Sequence, residues 1–396
     1  MLCFSNKKIA KVYLGQVSVS GSSTNPIAIY YIDTDTRQQM SVPTGVDVLN
    51  RITPTKTGYT FVGWREDTTA SSTVLTSKTM GSSGIALYAV FKKEIKLTCF
   101  NGSSTSTEIK GDQYYNNGNI VNPKLSITQT AKSGWTAIGW GDNTAGDASV
   151  IYSSISNREF SDNATLYGLY NKKIKLTTVL GGVSTPTEQT KYYNSYGNQT
   201  NPKFTVSNPS ISGAVFKGWS SSSTSSTIAN STISNLELSE DTIRYAVFTY
   251  NDTTLRDRYD TYYGDWGNTR HTILTGIDGT KYESLTVTVN PYTLECAAWA
   301  IACHAHAYVR IVSGSTTQSE IELRHTATWV IYTPEGQEPE QDEQRGYPCE
   351  GGRSATVTLA LGNVANQSLI YAFEGDVFKA EGGLSTVTVK GRTVVG

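Results

Sequence analysis

Charge is scarce in this chain of 396 residues. Only 17% of positions are Asp, Glu, Lys or Arg, and the two signs nearly cancel at 33 basic against 34 acidic. So thin a supply builds no basic surface able to neutralise a run of phosphates, and no nucleic-acid partner is expected. Nor does any dozen residues place apolar side chains at i, i+3, i+4 and i+7, which removes the amphipathic helix as a building unit. No apolar run approaches the roughly 18 residues that a bilayer span requires, so no membrane partner is expected. The first fifteen residues, MLCFSNKKIAKVYLG, lack the apolar stretch and small-residue cleavage site of a secretory signal.

Reactive chemistry is equally sparse. Five cysteines (Cys3, Cys99, Cys296, Cys303, Cys349) are scattered and odd in number, which reads as reduced, buried thiols rather than a disulfide framework. All four histidines lie beyond residue 270. There is no phosphate-binding loop, no G-x-S-x-G elbow and no H-E-x-x-H. Carboxylates are too dispersed to nominate a glycosidase pair, and Asp142, Asn143 and Asp147 miss the calcium-loop spacing. The expectation is a protein that is not an enzyme and carries no cofactor.

What the chain does have is turn and strand formers: 35 Gly, 24 Tyr and abundant Ser and Thr. It also repeats itself. GYTFVGWRED (58–67), GWTAIGWGDN (134–143) and AVFKGWSSSS (214–223) share a Gly-Trp step, so that Trp64, Trp140 and Trp219 fall 76 and 79 residues apart. Each copy ends on a closing strand, ALYAVFKK (86–93), TLYGLYNKK (165–173) or IRYAVFTY (243–250). A period of that length suits a small domain rather than a solenoid unit. The second and third copies also share an opening strand, Tyr-Tyr-Asn at 114–116 and 192–194, and Asn-Pro-Lys at 122–124 and 201–203.

The organisation predicted is an N-terminal hairpin segment (1–25, with Gly15 at its turn) and three repeats at 26–93, 94–171 and 172–251. A linker (252–283) and a β-sandwich (284–396) complete it. Each repeat reads strand, turn, strand, a short irregular or helical crossing, a strand with the Trp, a polar loop and a last strand. Trp64, Trp140 and Trp219 are assigned to the cores, because apolar area is scarce in so small a unit and the Trp recurs at one position. The glycine before each Trp would let a neighbouring backbone approach. A sugar-stacking Trp is the alternative.

Gly-Tyr-Thr-Phe-x-Gly-Trp (58–64) followed by Leu-Tyr-Ala-Val-Phe (87–91) resembles the Listeria–Bacteroides repeat of internalin-type surface proteins, over roughly residues 26–250. The resemblance implies small β-grasp-like domains that act as spacers or adhesive modules. Two copies depart from it: Trp135 stands for the motif Tyr, and Ala214 with Val215 stands for Gly-Tyr. These departures weaken any inherited ligand site but not the fold. Beyond the repeats, period-two alternation over 285–314, 319–336, 354–364, 368–378 and 384–395 points to an immunoglobulin-like sandwich. Val289, Pro291 and Leu294, with Trp329 on a later strand, resemble bacterial Ig-like modules. The acidic stretch 335–343 reads as a solvated loop. The fold class expected is therefore mainly β, three tandem β-grasp-like repeats followed by an Ig-like sandwich.

Two local clusters are candidate sites. Tyr259, Tyr262, Tyr263 and Trp266, interleaved with Arg and Asp, suit either a glycan or protein surface or a packing plug between domains. His304 and His306 share one strand face with Tyr308. In a trimer, three such pairs would offer six nitrogens to an octahedral ion, as in phage fibres and spikes; a plain half-exposed sheet face with no metal is the favoured reading.

Taken together, these features predict a phage virion structural protein, a fibre, head decoration or tail adaptor, made in a bacterial cytoplasm and released by lysis. Its partners would be other virion proteins, further copies of itself with a trimer favoured, and a host-surface glycan or protein. The short N-terminal KKIAKVYLG resembles the opening hairpins of phage minor structural proteins. A bacterial surface adhesin and an accessory chain of a carbohydrate-active enzyme are the alternatives.

Overall fold

The computed structural model describes residues 3–4, 7–8, 25–265, 267–296, 305–325, 347–348, 355–375 and 377–396. Every regular element among them is a strand. The chain divides into two compact units, one of Met1–Lys172 with Thr190–Thr200, the other of Lys173–Gln189 with Asn201–Gly396. At the start, β1 (Cys3–Phe4) pairs with β2 (Lys7–Lys8). The turn expected at Gly15 lies outside the described residues.

In the first unit, β3 (Ile27–Asp33) and β4 (Thr36–Ser41) form a hairpin. β3 alternates buried and half-buried positions, placing Ala28, Tyr30 and Ile32 inside. β5 (Thr60–Arg65) carries the Trp, and β6 (Ile85–Phe100) closes the repeat. β6 runs parallel to β3 and antiparallel to β5, so the order is β4-β3-β6-β5. First and last strands side by side and parallel is the β-grasp arrangement expected. No helix crosses the sheet: residues 42–59 take an irregular path, in which Asp47 accepts from the backbone N–H of Leu49 and the side chain of Asn50. That stretch supplies Val42 and Val48 to the core rather than a helical stripe.

β6 does not stop at the repeat boundary. Its second half opens repeat two, pairing with β7 (Ser106–Asn116) and, in parallel, with β12 (Ala164–Leu180). β8 (Asn119–Val121) folds back on β7, and β9 (Lys124–Ile127) pairs with β11 (Ile155–Glu159). β10 (Thr136–Gly141) carries Trp140 and pairs with β12. β13 (Val183–Asn194) reaches β14 (Gln199–Thr200).

In the second unit, the end of β12 lies parallel to β18 (Thr242–Tyr250), and β16 (Ala214–Ser220) is antiparallel to it. β15 (Lys203–Val206) pairs with β17 (Ile233–Glu237). Repeat three thus has the same strand pairing, and its core gathers Phe204, Trp219, Ile233 and Phe248.

The rest of this unit is a sandwich of antiparallel strands. These are β19 (Thr253–Asp265), β20 (Thr269–Ile277), β21 (Tyr282–Cys296), β22 (Ala305–Ser313), β23 (Thr316–His325), β24 (Tyr347–Pro348), β25 (Ala355–Ala360), β26 (Gln367–Gly375) and β27 (Val377–Gly391). One sheet runs β19-β27-β21, with β24 and β25 both on the outer side of β21; the other runs β20-β26-β22-β23. Two expectations are corrected here. Residues 252–283 are no linker, because they form the first two strands of the sandwich. Register shifts at 254/256, 257/260, 272/274 and 274/277 break the alternation that would have revealed them. With those strands included, first pairs with last and second with second-to-last. That order is a jelly roll and not the hairpin-rich order of an immunoglobulin domain.

The last strand returns to the repeats. β28 (Thr393–Val395) pairs antiparallel with β18, Val394 opposite Phe248, and Val394 packs on the repeat-three core. Arg392 fastens the turn, donating to the carbonyls of Gly279, Tyr282 and Leu361 at 2.9, 3.2 and 3.1 Å. Deleting Thr393–Gly396 should therefore loosen repeat three while sparing the sandwich. Hydrogen exchange is expected to accelerate selectively in β16 and β18; unchanged protection there would show that β28 is dispensable.

Candidate functional site

The three motif tryptophans are core residues, at 2%, 1% and 2% exposure for Trp64, Trp140 and Trp219. In each repeat a register shift falls just before the Trp, at 61/63, 137/139 and 216/218. The glycine at the shift has positive φ in all three copies. A side chain on Gly139 would meet the Tyr152 carbonyl oxygen at 2.5 Å, and one on Gly218 the Asn230 carbonyl oxygen at 2.8 Å. Glycine is needed because the polar loop crosses directly over the strand. The repeated motif is therefore packing machinery, and none of these three tryptophans offers a face to a ligand.

The motif alignment also shifts by one residue in the third copy. Gly58, Gly134 and Gly213 share φ values of 77°, 73° and 75°. Each is followed by a residue whose N–H donates three positions back, Tyr59 to Lys56, Trp135 to Lys132 and Ala214 to Ile211. Gly213 thus keeps the motif glycine, and Ala214 alone replaces the tyrosine.

Tyr-Tyr-Asn, which sequence comparison marks only as a shared string, is what joins the repeats. β7 overshoots its own repeat, and its last residues pair with the closing strand of repeat one, Tyr115 opposite Phe91 and Asn116 opposite Val90. Tyr115 lands against Tyr59 and Phe91, with ring centroids 5.9 and 6.5 Å away. Lys56 lies 3.8 Å from the Tyr115 ring centroid, a cation–π contact. The Asn116 side-chain amide donates to the Asp67 and Thr69 carbonyls, both at 3.0 Å, and so ties down the loop after the Trp strand. Repeat two receives the same treatment: Tyr193 packs on Trp135 at 5.5 Å, Lys132 sits 4.2 Å from Tyr193, and Asn194 donates to Asn143 and Ala145. In repeat three the trio Ile211, Ala214 and Val394 stands in the places of Lys, aromatic and Tyr. An apolar contact replaces the cation–π one, and a small residue accommodates the lent strand.

The repeat-one joint also carries a half-buried ion pair. Lys56 Nζ is 2.6 Å from an Asp33 oxygen, and the Tyr115 hydroxyl donates to the other. Burial works against the Asp33 carboxylate, but hydrogen bonds from Lys56, Tyr115 and the Thr34 N–H outweigh it and hold its pKa below the ordinary value. Burial likewise opposes the Lys56 charge and is outweighed by the Asp33 bond, so its pKa rises. The Tyr115 pKa is raised by burial first and then by donation to Asp33.

The second candidate cluster separates on the structure. Tyr262 turns inward, edge-on to Tyr371 at 5.9 Å, and accepts from Arg256 at 2.7 Å. The Arg256 guanidinium, itself buried, pairs with Asp260. Tyr259 and Tyr263 point outward and are 57% and 59% exposed. Tyr262 is thus packed into the sandwich's own core rather than plugging a joint between domains, and Tyr259 and Tyr263 lie on open surface. Trp266 lies outside the described residues.

His306 sits on β22 with Nδ1 2.6 Å from Glu322 and its ring stacked on Tyr308 at 5.7 Å. Tyr308 lies in turn beneath Arg310, whose guanidinium holds Glu320 and Glu374. His304 lies outside the described residues. Among the described residues no three or more His, Cys, Asp or Glu side chains gather in a way that could hold a metal ion. Cys99, the free thiol buried in the repeat-two core, has its pKa pushed up to about 11 by burial and is not a nucleophile.

Two segments match a known family. The sequence model of the Listeria–Bacteroides repeat domain fits residues 28–90 and 179–247. These are the first and third repeats; the second shares their strand pairing, Trp bulge and turn glycine. No curated protein matches the chain. Among solved structures, that of the infectious bursal disease virus Gx strain aligns at 9% identity over 90% of this chain and 86% of its own, with a TM-score of 0.15. A score that low supports no argument about fold.

The joint chemistry sets a pH dependence. Because the Asp33 pKa is depressed on folding, the stability it contributes is complete above the unfolded value near 4 and is lost as pH falls through the folded value. Urea unfolding of residues 26–121, in which Trp64 is the single tryptophan, should show a midpoint that declines below about pH 4. Tyr115→Phe should flatten that decline; an identical pH profile would show that the hydroxyl does not hold the carboxylate.

Proposed function

We propose that the protein is a non-enzymatic structural component of a phage virion, a fibre, decoration or adaptor, in which the repeats set spacing and the terminal sandwich presents a surface. One observation carries the structural part: adjoining repeats one and two share an uninterrupted strand, and a segment of the following repeat completes the preceding core. No flexible linker separates them, which is the property a spacer under load needs. The sandwich is held to repeat three at two points, through Tyr250–Thr253 and through β28, so a force on one is passed to the other without a hinge.

The jelly roll adds a fold-level analogy, since that architecture recurs in viral capsid and lectin domains. A symmetric assembly, with a trimer favoured, would multiply weak surface contacts through avidity. The second reading, a bacterial surface adhesin or spacer, draws on the repeat family matched by residues 28–90 and 179–247.

The genomic neighbourhood and the particle itself discriminate the two. Capsid, portal or tail genes beside this one, together with the polypeptide in gradient-purified particles, are the results expected. Recovery from a bacterial envelope fraction, with no particle genes nearby, would favour the adhesin and overturn the virion reading.

A further inference from the structure

The outer face of the β19–β27 pair holds two large rings that no described part of the chain covers. Tyr262 and Gly264 face the sandwich core, Gly264 close enough to Phe373 that a side chain there would touch it at 3.0 Å. Strand alternation then sends Thr261 and Tyr263 outward. The bulge between Asp257 and Asp260 swings Tyr259 onto the same outer face, where its ring rests against Gly383, the register partner of Thr261. A side chain at Gly383 would overlap the Tyr259 ring, so glycine at that position is what lets the ring lie there.

We propose that this face binds a neutral oligosaccharide laid along β19, with sugar rings stacked on Tyr259 and Tyr263. The Tyr259 ring lies over Gly383, the register partner of Thr261, and so stands two residues of strand from Tyr263, about 7 Å, a spacing at which adjoining rings of one sugar chain can stack on both tyrosines. Exposed Glu381, the register partner of Tyr263, offers an acceptor for sugar hydroxyls. Tyrosine suits the task because it gives a broad apolar face with few rotamers to freeze.

Charge selects the class of sugar. Arg256 and Arg258 are both committed to Asp260, and exposed Lys379, the register partner of Asp265, is flanked by the Asp265 and Glu381 carboxylates, so the face has no excess positive charge to hold a carboxylate or sulfate group. Against a protein strand or a second copy stands the edge itself. β19 is an edge strand, but its two register shifts, at 254/256 and 257/260, interrupt the ladder another strand would need.

This proposal rests on the projecting reading only for its biological setting, since the joints on which that reading stands lie elsewhere. The test is calorimetric titration of the full chain with neutral gluco-, xylo-, manno- and chito-oligosaccharides and with sialylated and sulfated ones, alongside sedimentation. Binding of at least one neutral ligand is expected, weakened about tenfold by Tyr259→Ala and by Tyr263→Ala and retained by Tyr259→Phe. Both positions are exposed, and an unchanged thermal midpoint will show that the variants fold. Absence of neutral-sugar binding, binding confined to acidic sugars, indifference to the double Ala variant, or self-association abolished by that variant would each overturn the proposal.

Discussion

The strand that each repeat receives from the segment after it is the contact on which the rest depends. A unit of this size encloses one small core around a single Trp, and small domains bury too little surface to be generous with stability. Tyr115 extends the repeat-one core on the flank of β6 that β3 leaves unpaired beyond Tyr88. Without it, Val90 and Phe91 would present unpaired backbone at an open edge, and the loop after Trp64 would lose the Asn116 amide. The joint is thus part of the fold of the repeat, not an accessory to it.

That constraint explains the end of the chain. Repeat three has no following repeat to lend it a strand, and β28 takes the place with Val394 in the position of the tyrosine. The substitutions track one another: where Ala214 stands for the motif aromatic and Ile211 for the lysine, the incoming residue is aliphatic. The third copy has therefore adapted to a lent strand of different chemistry. The sandwich is bound to it by the same device that binds repeat two to repeat one, with Arg392 fixing the tail where it leaves the sandwich.

Much of this was legible in the residues. The Gly-Trp step located three cores, and the closing strands located their edges, because packing in small domains leaves a periodic trace. Tyr-Tyr-Asn was visible as a recurring string, but its role was not, since sequence does not say that a strand will overshoot its own sheet. The jelly roll was hidden for a different reason: bulges in β19 and β20 erase the period-two signal, and strand order is a matter of which edges meet. Of the candidate site, the aromatic interleaving at 259–263 was apparent, whereas the inward turn of Tyr262 needed the core of the sandwich to be seen.

The most direct test of the lent strand is to compare two fragments of repeat one. Residues 26–121, which include Tyr115 and Asn116, are predicted to unfold cooperatively in urea with a sharp Trp64 fluorescence transition, and residues 26–93 to show none under the same conditions. A cooperative transition of equal midpoint in the shorter fragment would show that the repeat closes its own core and would contradict the account.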